Sequence, residues 1–149
     1  MTESAAWGKL RDSLIKTATK LGSGIHVVRI ENLVGAGVFD TNICFKGHEL
    51  WLEGKFVMQL PVKESTRIKV GMSEEQRVFA LRRYYAGGVT YLWTKVQMER
   101  NLSDSGWYLF VLNNTNLIDD LKEGMLRQDF LKHHFATADD LAMWLLTNK

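Results

Sequence analysis

The feature that most constrains this chain is Lys46-Gly47, set between two runs of β-forming residues. A two-residue connection with glycine in second place reads as a hairpin turn, because glycine supplies the positive φ that such turns need. Val38 to Phe45 then forms one arm and His48 to Met58 the other. Once the turn is placed, the register follows. Phe45 lies opposite His48, paired numbers sum to a constant, and Asp40 falls opposite Glu53. Residues directly opposed in an antiparallel pair have Cβ atoms about 4.5–5.5 Å apart.

The rest of the chain is read outward from that hairpin. Ala6, Trp7, Leu10, Leu14, Ile15, Ala18 and Leu21 recur at helical spacing and predict a helix over 3–21, capped by Thr2 or Ser4 and stopped by Gly22-Ser23-Gly24. His26 to Ile30 is strand-like, and Gly35-Ala36-Gly37 a turn or bulge. Residues 59–72 are polar and irregular and read as a flexible loop. Ser73 with Gln76 three positions on fits a capping box that opens a second helix, which Gly87-Gly88 stops. Strands are predicted over 89–96 and 107–112, and helices over 117–122, 127–132 and 137–147. This order predicts one α/β domain over 1–149, with a mixed central β-sheet flanked by α-helices. Its core is expected over about 3–112, with a C-terminal helical extension over 113–149.

Composition narrows the classes of function. At 149 residues, 46% apolar and 24% charged, the chain has the profile of one ordinary globular domain. The single proline argues against long linkers, and Cys44, the only cysteine, excludes an internal disulfide and a Cys-rich zinc site. The N-terminal residues lack the pattern of a signal peptide, and no apolar run is long enough to cross a membrane, so a cytoplasmic location is expected. A net charge of +2 permits an anionic partner without requiring one.

The chemistry concentrates on the hairpin. Two carboxylates facing each other across a strand pair repel, and one tends to stay protonated unless a cation lies between them. Mg²⁺ answers that need, since it favours carboxylate oxygens, water and phosphate. Lys55 follows Glu53 by two residues and therefore points to the same face. Leu50, Trp51, Leu52, Phe56 and Val57 make the strand apolar, so a charged pair inside it calls for a reason. One reason is a metal held by Asp40 and Glu53, with the lysine positioning water and offsetting anionic charge. The same spacing also fits a solvent-facing pair on an amphipathic strand, with Asp40 a turn carboxylate.

Three stretches carry a family resemblance: Arg29-Ile30-Glu31-Asn32, Gly35-Ala36-Gly37-Val38-Phe39-Asp40, and Leu50-Trp51-Leu52-Glu53-Gly54-Lys55. Together they resemble the PD-(D/E)XK nuclease superfamily, most nearly phage-type members similar to virus-type replication-repair nuclease (VRR-NUC) domains and Holliday-junction resolvases. The likeness runs on through Ser73-Glu74-Glu75-Gln76 to Ala86-Gly87-Gly88-Val89, covering roughly residues 3–97. It implies a restriction-endonuclease-like fold, a Mg²⁺- or Mn²⁺-dependent DNA endonuclease, possible selectivity for branched DNA, and a homodimer. It further implies Asp40 and Glu53 as metal ligands, Lys55 as the catalytic lysine and Gln76 as an auxiliary group. Glu3 loosely matches a further acidic position, and Glu31 is a second acidic candidate. In two places the chain departs from the pattern: Phe39 stands where the family usually has proline, and Gly54 fills a slot usually held by an apolar β-former. A binding module that keeps the fold but no longer cuts is the alternative these departures leave open.

Basic residues flank the motif. Lys63, Arg67 and Lys69 follow the candidate strand, and Arg77, Arg82 and Arg83 lie on the next helix. As a group, Lys63, Arg67, Lys69, Arg77 and Arg83 make a DNA track that would bind phosphates in a salt-dependent way; taken singly, each also fits ordinary surface solvation. Tyr91 and Trp93 read as strand packing.

Overall fold

The computed structural model describes residues 1–30, 37–57 and 59–148. The first helix, α1 (Glu3–Lys20), begins where Thr2 accepts a hydrogen bond from the Ala5 N–H. It buries Trp7, Leu10, Leu14 and Ala18 along one side. Three strands follow: β1 (Ile25–Arg29), β2 (Thr41–Phe45) and β3 (His48–Val57). Lys46 and Gly47 both take positive φ, 49° and 78°, as the two central residues of a tight hairpin turn require. The register runs Phe45 against His48 through Thr41 against Leu52, as the turn dictates.

The crossover helix α2 (Glu74–Tyr85) leads from β3 into β4 (Thr90–Val96), which pairs with β3 in parallel. A parallel pair cannot be joined by a tight turn, so a helix in this position is the expected solution. A 3₁₀ turn at Leu102–Asp104 precedes β5 (Gly106–Leu112). Then come α3 (Thr115–Glu123), α4 (Arg127–Phe130), a second 3₁₀ turn at Leu131–His133, β6 (His134–Phe135) and α5 (Ala138–Thr147). Among the described residues the six strands lie in sequence order, and only the β3–β4 pairing is parallel. The fold is therefore a single α/β domain with a mixed six-stranded sheet between helical layers.

Alternation along the strands sends side chains to two separate cores. On one face, α1 and α5 cover Ile43, Phe45, Leu52, Tyr91, Trp93, Trp107 and Leu109. On the other, α2, α3 and α4 cover Leu92, Val96, Tyr108, Phe110 and Leu112. The last helix belongs to the first core: Leu141, Ala142, Leu145 and Leu146 are all buried there.

Two expectations need correcting. Residues 59–72 do not form a free loop. Leu60, Ile68, Val70 and Met72 are buried in the second core, and Ile68 pairs with Met125 through hydrogen bonds in both directions, at 2.7 and 2.9 Å. The alternation of Ile68, Val70 and Met72 with exposed Lys69 and Gly71 is a strand-like pattern masked by the polar residues before it. The sheet also has a short sixth strand, His134–Phe135, that the helical reading of 127–132 and 137–147 leaves between elements.

Candidate active site

Asp40 stands just before the first residue of β2, and Glu53 lies past the middle of β3. The ladder continues one step past Thr41–Leu52, but not as an ordinary backbone pair. The Asp40 N–H donates to Glu53 Oε1 at 3.2 Å, while the Asp40 carbonyl accepts from the Ile30 N–H at 2.7 Å. One residue thus ties β1 to the Glu53 side chain. Thr41 Oγ1 donates to Asp40 Oδ1 at 3.0 Å, and Arg29 Nη2 lies 3.7 Å from Asp40 Oδ2. Lys55 Nζ lies 3.6 Å from Glu53 Oε2 on the same face of β3.

Glu53 is only 5% exposed. Burial, and then the nearby Asp40 carboxylate, push its carboxyl up to about 7. Lys55 and the Asp40 N–H pull the other way, and the charge of Glu3 adds to the rise. Asp40 is also raised, chiefly by burial, although Thr41, Arg29, the Gly54 N–H and Lys55 all favour its charged form. Two carboxyls displaced in the same direction behave as a coupled pair that holds a proton near neutrality. A pair of converging hard oxygen donors fits a divalent cation such as Mg²⁺, which takes one or two carboxylates and fills its remaining positions with water and phosphate. Among the described residues no group of three His, Cys, Asp or Glu side chains lies close enough to hold a metal ion. Among the described residues, Asp40 and Glu53 are the carboxylates that this site brings together.

The two departures from the motif acquire physical reasons. Phe39 is fully buried and packs on Phe79 of α2, with ring centroids 5.0 Å apart. It anchors the segment that presents Asp40 to the crossover helix. Gly37 completes that docking: its φ is +88°, and a Cβ there would fall 2.3 Å from the Glu75 carbonyl. Gly54 points to the opposite face from Glu53, where a Cβ would fall 2.2 Å from the Trp93 indole. The Trp7, Trp93 and Trp107 rings pack in series on that face, so Gly54 is the space the tryptophan occupies.

The remaining candidates fall elsewhere. Gln76 makes the capping box of α2: its Oε1 accepts from the Ser73 N–H at 3.0 Å, and its own N–H donates to Ser73 Oγ at 3.1 Å. It sits in the helical turn that meets Gly37 rather than in hydrogen-bond contact with Asp40 or Glu53. Glu31 lies outside the described residues. Arg77 is committed within the protein, donating to Asp119 from Nε and to Glu74 from Nη1, each at 2.8 Å, which ties α2 to α3. Arg67 donates to the Gly124 carbonyl at 3.3 Å. Lys63 and Lys69 are exposed, and Arg83 lies across the rings of Trp51 and Phe79. Sequence reasoning missed Thr41 and the approach of Arg29 to Asp40. The signal for Thr41 was its position directly after the aspartate, where a hydroxyl can bond back to the carboxylate.

No protein-family model matches the chain, and no curated protein matches it. Among solved structures it is similar to Hjc, a Holliday junction resolvase from the archaeal hyperthermophile Archaeoglobus fulgidus. The two are 14% identical with a TM-score of 0.39, over 83% of this chain and 98% of that one. At that identity the likeness transfers no residue role.

Proposed function

We propose that this protein is a metal-dependent nuclease of the PD-(D/E)XK type acting on DNA. The observation that carries the reading is the buried pair itself. Asp40 and Glu53 meet across the hairpin, both raised above the ordinary carboxylate range, with the Lys55 ammonium 3.6 Å from Glu53. The two acids face each other within the sheet, and each cation beside them is more exposed than the acid it meets and stands beyond hydrogen-bond distance: Lys55 is 3.6 Å from Glu53, and Arg29 is 3.7 Å from Asp40.

In this reading Asp40 and Glu53 hold Mg²⁺ or Mn²⁺, which supplies charge neutralisation at the phosphate and activation of water. The chain's own groups do the rest. Lys55 orients the attacking water and offsets the charge that develops on the phosphate. Thr41 and the Gly54 N–H fix the Asp40 carboxylate, and the Asp40 N–H fixes Glu53. Glu3 adds negative potential near Glu53. Gln76 supports the site from the first turn of α2. Lys63, Arg67, Lys69 and Arg83 contribute to the phosphate track, with Arg77 acting through α2. Selectivity for branched DNA, action as a homodimer and a phage origin remain part of the proposal and follow from the motif resemblance. A binding module that holds DNA without cutting is the competing outcome.

Cleavage of labelled junction, flap, single-stranded and duplex DNA tests the reading, with wild type and Lys55→Ala in Mg²⁺, Mn²⁺ or EDTA. Metal-dependent cutting that falls by about 10²-fold or more in Lys55→Ala is expected. Retained DNA binding with no cutting in either metal would favour the binding module instead.

A further inference from the structure

Trp51 precedes Glu53 by two residues on β3 and so shares its face, about 7 Å along the strand. The ring is held by α2. Phe79 meets it edge-on, with centroids 5.8 Å apart, and the Arg83 guanidinium sits 5.3 Å from the centroid of each ring. Arg83 is exposed and makes no ion pair among the described residues.

Beside Trp51, none of the described helices contributes an apolar contact to β1 or β2 on this face. Trp51 is in register with Asn42 on β2, and Asn42 with Val28 on β1. Val28 is 38% exposed although it is apolar and sits within a sheet. Among the described residues no side chain of β1 or β2 joins the apolar cluster on this face, and Asn42 between Val28 and Trp51 is half-buried. The row Val28–Asn42–Trp51 therefore leads from solvent to the residue next to the Asp40–Glu53 row.

An aromatic ring with a guanidinium that makes no ion pair among the described residues, one step from the proposed phosphodiesterase site, has the chemistry of a nucleobase platform. Bases stack on aromatic faces without regard to sequence, and arginine adds both stacking and phosphate contact. We propose that Trp51 and Arg83 bind an unpaired base flanking the scissile phosphate, which makes the protein selective for DNA with unstacked nucleotides near the cut. This inference rests on the nuclease reading for its substrate but not for its test. In intact duplex the bases are stacked on one another, and the platform has nothing to engage.

The test uses binding, not cleavage. Single-stranded and junction oligonucleotides carrying 2-aminopurine are titrated with the full-length protein in Ca²⁺ and in EDTA, and blunt duplex serves as the comparison. Wild type should change 2-aminopurine fluorescence at one or two positions. Trp51→Leu should lose that response and weaken single-strand binding by on the order of tenfold or more, while duplex affinity is unchanged. Trp51→Phe should retain most of the response, and Arg83→Ala should weaken it. A folded Trp51→Leu protein that binds single strands like wild type overturns the platform. So does a wild type whose titration leaves 2-aminopurine unchanged in both conditions, a readout that needs no variant to fold. Metal-dependent cutting alongside either result would leave the nuclease standing and remove only the platform. A full stacking response with no cutting would do the reverse.

Discussion

At the scale of single residues, the Glu53 carboxyl is the most perturbed group in the candidate site. Its folded value of about 7 lies above the ordinary 4.5, so the folded state binds the proton more tightly than the unfolded chain. Below pH 4.5 both states are protonated and the group costs nothing. From pH 4.5 upward the unfolded chain ionises while the folded state still holds its proton, so metal-free stability falls across the window up to about 7 by on the order of 3 kcal/mol in all, and above it the folded state carries the buried charge. Asp40 acts in the same direction. Thermal unfolding in EDTA should therefore give a lower midpoint at pH 8 than at pH 5. Glu53→Gln should flatten that dependence and raise the midpoint at pH 8, and Mg²⁺ should stabilise wild type at pH 8 but not the variant. An unchanged pH profile in Glu53→Gln would mean that the acid pair is not what the protein strains to hold. Gly54 makes a second residue-scale case. Alanine there drives a methyl into the Trp93 indole, and overpacking of that kind costs about 1–3 kcal/mol, readable as a shifted urea midpoint at unchanged slope.

At the scale of elements, the site depends on how α2 docks on the segment before β2. Gly37 permits the approach and Phe39 fastens it against Phe79. Gly37→Ala meets both a positive φ and the Glu75 carbonyl, so it should cost more than about 1 kcal/mol and lower cleavage at the same time, because Asp40 moves with the segment. Circular-dichroism melts beside the cleavage panel would check the pairing of the two losses. Gln76 separates position from chemistry. Gln76→Glu preserves the box, since glutamate serves equally at that position, and should keep stability. Gln76→Ala loses half of the capping box and should cost about 1 kcal/mol, scored by the same melts. Cleavage that drops in Gln76→Glu without a stability loss would assign the carboxamide a direct part.

At the scale of the whole molecule, the sheet joins two cores that share no residue but share every strand from β3 to β5. The last helix, α5, closes the first core against α1, with Leu141 fully buried. Leu141→Ala should therefore cost about 2–5 kcal/mol in global stability and appear in a single unfolding transition, although it lies far along the chain from the hairpin. A separate early transition for 113–149 would contradict that coupling. The proposed homodimer belongs to this scale as well, and sedimentation of the protein alone and on junction DNA measures it directly.

The hairpin was legible in the sequence because its information is local. A Lys-Gly turn sets a register, and a register sets Asp40 against Glu53 and Lys55 beside it. The cap at Ser73, the cap at Thr2 or Ser4, and the glycine stops after the first two helices are equally short-range and were readable for the same reason. Long-range contacts decided the rest. Residues 59–72 look polar in sequence, yet Ile68, Val70 and Met72 are buried in the second core, and Ile68 pairs with Met125 far along the chain. Gly54 looks like a weak point until Trp93 from the parallel neighbour fills its space, and Phe39 looks like a departure until Phe79 meets it. Arg29 finds Asp40 only because β1 lies at the outer edge beside β2. Pattern and turn chemistry determine which residues face one another across a hairpin; only the packed sheet determines how deeply the acids are buried, and burial is what raises their carboxyls.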